Sequence, residues 1–160
     1  MDVTAMLILA ILSPQPNDRQ LDRELFVAVV RWVKTTEWVG SRSVAIAVDH
    51  MGHRVVTRRP PNLSAQDASY IAARSGTRAF MMDEVLTCAG DHIRHCRLNS
   101  VDVVVTAQAI RVEGNMAIVQ VAWLYSMPKF PYPNWATASL KLQRVNGQWS
   151  LVEVISRGEG

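Results

Sequence analysis

Two cysteines and two histidines lie within nine consecutive residues, Cys88-Ala-Gly-Asp-His-Ile-Arg-His-Cys96, and form the densest group of reactive side chains. Thiolate and imidazole suit zinc, and on a continuous helix Cys88, His92, His95 and Cys96 would share one face. The Gly-Asp pair between them favours a loop instead, and the spacing matches no established zinc pattern, so we predict no metal. The two cysteines either form a disulfide, which suits an exported protein, or remain free thiols in a reducing compartment.

Carboxylates and imidazoles elsewhere suggest general acid–base chemistry. Glu153 falls on the predicted apolar face of the last strand, and a carboxyl held away from water there would suit proton transfer. Asp49, His50 and His53 surround a turn, where a carboxylate can orient an imidazole. The ordinary alternatives are a bulge that rotates Glu153 to solvent and a solvated turn. These four residues are the candidate catalytic set for an enzyme of the isomerase or hydrolase type.

A proline-rich segment, Met127-Pro-Lys-Phe-Pro-Tyr-Pro-Asn134, connects two predicted strands. Its prolines favour an extended, pre-ordered backbone, so Phe130 and Tyr132 form a candidate binding loop. Trp123 and Tyr125, on the strand before it, either line a pocket or pack in the core. The alternative for the loop is a stiff connection that folds its aromatic rings onto the domain.

Composition and charge exclude several classes of function. The net charge is only +3, and the basic residues are scattered rather than clustered, so we predict no nucleic-acid partner. The chain contains no nucleophile elbow, phosphate-binding loop, dinucleotide glycine fingerprint or His-Glu-x-x-His motif. We therefore predict no cofactor.

The first 20 residues combine an apolar run at 5–12 with a proline-containing linker. Eight apolar residues are too few to span a bilayer, so we predict no stable membrane span. The run has the length of the hydrophobic region of a signal peptide, but no Lys or Arg precedes it. The segment is either a remnant of an export signal or a short helix packed on the core. We slightly favour the first, and with it an exported or periplasmic location over a cytoplasmic one.

Apolar residues at helical spacing, with prolines and caps at the boundaries, predict two helices. Leu25, Val29 and Trp32 share one face of a helix over residues 19–35. Ser64 with Asp67 forms a capping-box pattern for a second helix ending near Gly76. Between these helices, residues 43–48 predict a strand, and residues 54–57 a second short strand after a turn.

The last third of the chain, residues 101–155, predicts four long antiparallel strands. Gly114-Asn115 and Asn146-Gly147 are turn dipeptides between β-rich runs, and Asn-Gly tolerates the positive φ angles of a type I′ turn. Strict alternation from these turns puts one set of side chains on the core face. It pairs Val104 with Tyr125, Thr106 with Trp123, Leu140 with Glu153, and Ala138 with Ile155.

The order of these elements resembles the nuclear transport factor 2-like group of the cystatin-like α+β fold. The resemblance lies in the helix at 21–34, the hairpin at 101–125 and the closing run Leu140-Lys-Leu-Gln-Arg-Val-Asn-Gly-Gln-Trp-Ser-Leu-Val-Glu-Val154. It implies a cone of helices and curled sheet whose open end often holds a small hydrophobic ligand. Some members carry Asp, His or Tyr inside for isomerase, dehydratase or epoxide-hydrolase chemistry. The lengths of residues 44–57 and 77–100 depart from that pattern.

We therefore predict an α+β fold in which N-terminal helices pack on a curved, cone-like antiparallel sheet with four long C-terminal strands in hairpins. Residues 21–157 form a single domain in this prediction. The predicted function is non-catalytic binding of a small ligand or protein partner at the mouth of the sheet and the 127–134 loop. A homodimer formed through the outer sheet face is a further hypothesis.

Overall fold

The computed structural model describes residues 18–48, 64–90 and 92–159, and only the backbone of residues 18–22, 48, 93 and 108–110. This part of the chain is α+β, with helices packed on a curved sheet, which confirms the predicted fold class. The helices are α1 (Asp18–Thr35), α2 (Ala65–Ser75) and the single turn α3 (Met82–Val85), with a 3-10 turn at Ile93–His95.

Eight strands accompany the helices in the described residues. They are β1 (Val44–Val48), β2 (Arg78–Met81), β3 (Leu86–Cys88), β4 (Cys96–Leu98), β5 (Val103–Glu113), β6 (Met116–Tyr125), β7 (Asn134–Val145) and β8 (Gln148–Glu159). Six of them form one sheet in the order β2-β1-β5-β6-β7-β8, and β3 and β4 form a separate hairpin. The four long C-terminal strands are antiparallel, as predicted.

The N-terminal part of the sheet is parallel, which the sequence did not predict. β1 pairs in parallel with both β2 and β5. Parallel neighbours need a crossover, and α2 lies between β1 and β2 in the chain. Both edges of β1 are therefore occupied. The predicted strand at 54–57 lies outside the described residues.

A bulge in β5 changes which side chains face the helices. The register shifts between Ala109 and Arg111, so that Val105 rather than Thr106 lies opposite Trp123. An extra residue in one strand moves every later pair by one position and turns its side chains to the other face. The predicted pairs Val104–Tyr125 and Thr106–Trp123 are therefore wrong.

Two further shifts in β8 move Glu153 away from the core. The turn-proximal pairs are as predicted, with Leu142 opposite Leu151, but Lys141 rather than Leu140 faces Glu153. Glu153 is exposed, as the bulge alternative anticipated. The bulges give β8 a three-residue spacing on its core side, where Leu151, Val154 and Arg157 lie opposite buried β7 residues.

The sheet is covered along one face and over part of the other. On one face, α1 and α2 pack over β1 and the four long strands in the main core. On the other, residues 82–98, which we call the disulfide cap, cover β1, β5 and β6 through a smaller apolar cluster. Val104 and Leu124 are buried under this cap, so the strands below it are apolar on both sides.

Polar side chains join α1 to α2 along one side. Asp67 accepts hydrogen bonds from Arg23, with which it also forms an ion pair, and from the Ser64 hydroxyl and amide. Burial alone raises the pKa of the Asp67 carboxyl, but these hydrogen bonds and the charge of Arg23 together hold it below its ordinary value of 3.8. The Ser64 hydroxyl in turn accepts from the Asp67 amide, which confirms the capping box.

We expect Asp67→Asn to lower the free energy of unfolding by about 1–3 kcal/mol, because it removes the charge that accepts from Arg23 and Ser64. Since the folded-state pKa lies below the unfolded one, this contribution is complete above about pH 4 and is lost as pH falls through the folded value. Urea unfolding at pH 7 and pH 3 would measure both effects. The control is Glu113→Gln, in the exposed pair with Arg111, which should cost less than about 1 kcal/mol. Equal losses in the two variants would contradict the prediction.

A disulfide closes the tip of the cap. Cys88 and Cys96 are directly opposite each other in the β3–β4 hairpin and are covalently joined, which confirms the disulfide alternative. Cys96 belongs to the apolar cluster beneath the cap. The bond therefore ties together the two strands of the cap, both of which contribute to this cluster.

We expect the double variant Cys88→Ala/Cys96→Ala to lose about 2–3 kcal/mol of stability, because the unfolded chain is no longer constrained by the small loop. Thermal unfolding with and without a reducing agent would measure this loss. The agent should lower the midpoint of the native protein towards that of the variant and leave the variant unchanged. An identical midpoint for oxidised and reduced native protein would refute a stabilising role.

Candidate functional site

The segment 127–134 places aromatic rings on the surface at one end of the sheet. Phe130 is 46% exposed, Tyr132 is half-buried, and their ring centres are 5.9 Å apart. Trp135, 40% exposed, is the second residue of β7 and lies on the face opposite the main core. Three aromatic side chains thus meet solvent within six residues.

Hydrogen bonds hold the base of this loop. Arg42 donates to the carbonyl of Ser126 at 2.8 Å, and the amide of Phe130 donates to the carbonyl of Met127 at 3.1 Å. The side-chain amide of Asn134 donates to the sulfur of Met127 across the loop. The exposed rings therefore stand on an anchored backbone.

Trp123 and Tyr125 pack in the core and do not line an open pocket. They are 3% and 4% exposed. Trp123 meets Trp32 edge-to-face at 6.0 Å, and Tyr125 stacks on Trp38 at the same separation. Burial raises the pKa of Tyr125, against the opposing hydrogen bond with Asn134. The interior at this position is filled by aromatic side chains.

A groove of about 290 Å³ lies between α1 and the start of the edge strand β8. One wall is a continuous face of α1, and the other is the beginning of β8 with the end of α2 nearby. The apolar lining residues are Val27, Ala28, Trp32, Trp149 and Leu151, and the polar ones are Glu24, Arg31, Thr35, Arg74 and Gln148. Apolar and polar residues therefore contribute equally to the lining, so the groove offers both an apolar surface and charged groups to a ligand.

Arginines dominate the charge around this groove. Arg31 is exposed and donates to the carbonyl of Arg74 at 2.7 Å, and no carboxylate in the described part of the chain pairs with it. Arg74 is 3.7 Å from Glu24, whose carboxylate also accepts from the hydroxyl of Tyr70. That hydrogen bond raises the pKa of Tyr70. Arg31 is thus the guanidinium with spare donors.

The two tryptophans that line the groove, Trp32 and Trp149, differ in their polar surroundings. Arg157 lies over the ring of Trp32, 5.6 Å from its centre, and adds positive charge beside the groove. Trp149 is largely buried, and its indole N–H has no acceptor within the described residues. Such an unpaired donor costs about 1–3 kcal/mol, so the indole is held there by its packing rather than by a hydrogen bond.

Glu153 is the one candidate catalytic residue that the described part of the chain contains. Glu153 is exposed opposite Lys141, so the desolvated carboxyl expected of it is absent. Asp49, His50 and His53 lie outside the described residues, and their role stays a prediction. Within the part of the chain that the structure describes, no three His, Cys, Asp or Glu side chains are placed to hold a metal ion.

The groove was not predicted from the sequence. Glu24, Ala28, Arg31 and Thr35 follow one another at helical spacing, but this pattern equally describes a solvated helix face. This face of α1 becomes a wall of the groove only because β8 lies beside it.

None of the described helices combines the length and apolar character needed to cross a membrane. No family model, curated protein or solved structure matches this chain.

Proposed function

We propose that this protein is a non-catalytic binding domain of the nuclear transport factor 2-like type and that it recognises a protein partner through the 127–134 loop. The observation that carries the proposal is the exposed ring of Phe130 against the half-buried ring of Tyr132, with the exposed Trp135 three residues further on, on an anchored backbone. Aromatic side chains are enriched at protein interfaces because each buries a large area at a small cost in side-chain entropy.

The rigidity of the loop supports this function. Its prolines restrict the backbone, and the hydrogen bonds of Arg42 and Asn134 fix both ends. A loop ordered before binding loses less conformational entropy when the partner arrives. The burial of Trp123 and Tyr125 also favours the outer surface over a ligand bound against these two rings.

The disulfide supports an oxidising location for this binding. Cys88–Cys96 bonds of this kind persist in secreted or periplasmic proteins and are rare in the cytosol. A partner is therefore to be sought outside the cytoplasm.

We expect Phe130→Ala/Tyr132→Ala to abolish partner binding while changing stability by less than about 1 kcal/mol per substitution, because both rings are at least partly solvated. The measurement is quantitative affinity purification of the tagged protein from its own host after cross-linking, together with a thermal unfolding curve of each variant.

Val145→Ala is the matched control, since Val145 is an exposed apolar residue at the opposite end of β7. A protein retained by the native chain and by this control but lost from the double variant would meet the expectation. Identical sets of retained proteins for all three chains would refute the role of the loop. A large fall in the unfolding midpoint of the double variant would show that the two rings belong to the core.

A further inference from the structure

We propose that the groove between α1 and β8 is a second binding site, separate from the 127–134 loop, and that it takes a small monocarboxylate with an apolar body. The two sites lie at opposite ends of the sheet. The groove is lined by Gln148 and Trp149, which follow the Asn146-Gly147 turn, whereas the loop joins β6 and β7 at the far ends of those strands.

The size and lining of the groove fix the body of the ligand. About 290 Å³ is at the lower limit for small-molecule sites and is too little for a nucleotide or other large cofactor. The accessible apolar surface comes mainly from Trp32, Ala28 and Leu151, and the largely buried side chains of Val27 and Trp149 form the floor of the groove. A single aromatic ring system or a short alkyl chain fits this space.

The charges around the groove fix the polar group. Arg31 donates one hydrogen bond to the Arg74 carbonyl, and among the described residues nothing accepts from its other N–H groups. A planar guanidinium can bind a carboxylate through two parallel hydrogen bonds. Arg157, over Trp32, adds a second positive charge beside the apolar lining. Glu24 also lines the groove, and its negative charge disfavours phosphate groups that carry two charges. One negative charge is therefore the best match.

The test uses three named acids, phenylacetate, indole-3-acetate and octanoate, each titrated into the full-length, disulfide-bonded protein. Two-dimensional ¹H–¹⁵N NMR would follow the backbone amide of Gln148 and the indole N–H of Trp149, and calorimetry would give the affinity. We expect at least one acid to shift these signals at millimolar concentration or below, while the signals of residues 127–134 stay unchanged. The amide of the same acid should bind about tenfold more weakly or worse, because it lacks the charge that Arg31 pairs with.

Arg31→Gln should weaken binding of that acid by about tenfold or more, whereas Arg94→Gln, an exposed arginine in the disulfide cap, should leave it unchanged. Ala28→Leu should block the groove and abolish binding without altering the unfolding midpoint by more than a few degrees.

Three results would overturn the proposal. The first is the absence of any shift with all three acids, and the second is equal affinity for an acid and its amide. The third is a change in the groove signals on dilution of the protein alone, which would assign the groove to a second copy of the chain. Because the loop variants Phe130→Ala and Tyr132→Ala do not touch the groove residues, failure of one site is distinguishable from failure of the other.

Discussion

The packing of α1 along the sheet is the constraint on which the rest of the structure depends. Leu25, Val29 and Val33 are fully buried against the long strands, and each contributes about 1.5–3 kcal/mol of hydrophobic stabilisation. The same helix supplies Trp32, which meets Trp123 of β6. The turn that follows the helix supplies Trp38, which stacks on Tyr125 at the end of β6. Once its apolar face is fixed, its outer faces have determined positions: one receives α2 and another forms a wall of the groove.

The polar contacts between α1 and α2 give this packing its alignment. Arg23 and Glu24 contact Asp67 and Tyr70, while Arg31 and Lys34 donate to the carbonyls at the end of α2. The residue numbers rise together, so the two helices run parallel. Cations at a helix C-terminus complement its partial negative charge. Arg31 therefore has two possible uses, a structural one towards α2 and a spare set of donors towards the groove.

Bulges in β5 and β8 decide how the long hairpins present their side chains. In β5, the bulge turns Val104 towards the disulfide cap, which buries it. In β8, two shifts place Glu153 in solvent and bring Val154 and Arg157 to the same face as Leu151. Bulges on an edge strand also discourage pairing with another strand. The edge of β8, which no other described strand pairs with, is consequently better suited to line a groove than to extend the sheet.

Local chemistry alone was enough for several elements. The apolar period of residues 19–35, the Ser64–Asp67 capping box with Gly76 at positive φ, and the two turns at Gly114 and Asn146-Gly147 act through near neighbours, and the structure has each of them. The sequence left open whether Cys88 and Cys96 form a disulfide or remain free thiols, because a disulfide needs both an oxidising compartment and a suitable distance between the cysteines. The aromatic loop was predicted, and its exposure agrees with a surface position.

Tertiary structure decided the rest. An extra residue in a strand leaves no mark in the alternation of apolar residues. The sequence therefore could not predict that Glu153 is in solvent, or that Val105 rather than Val104 lies on the core face. The parallel pairing of β1 depends on which edges remain free after the other strands assemble. The groove requires α1, α2 and β8 to meet, although their residues are far apart in the chain. Such contacts depend on the three-dimensional register of whole elements, whereas turns, caps and helical faces are set by residues within a few positions of one another.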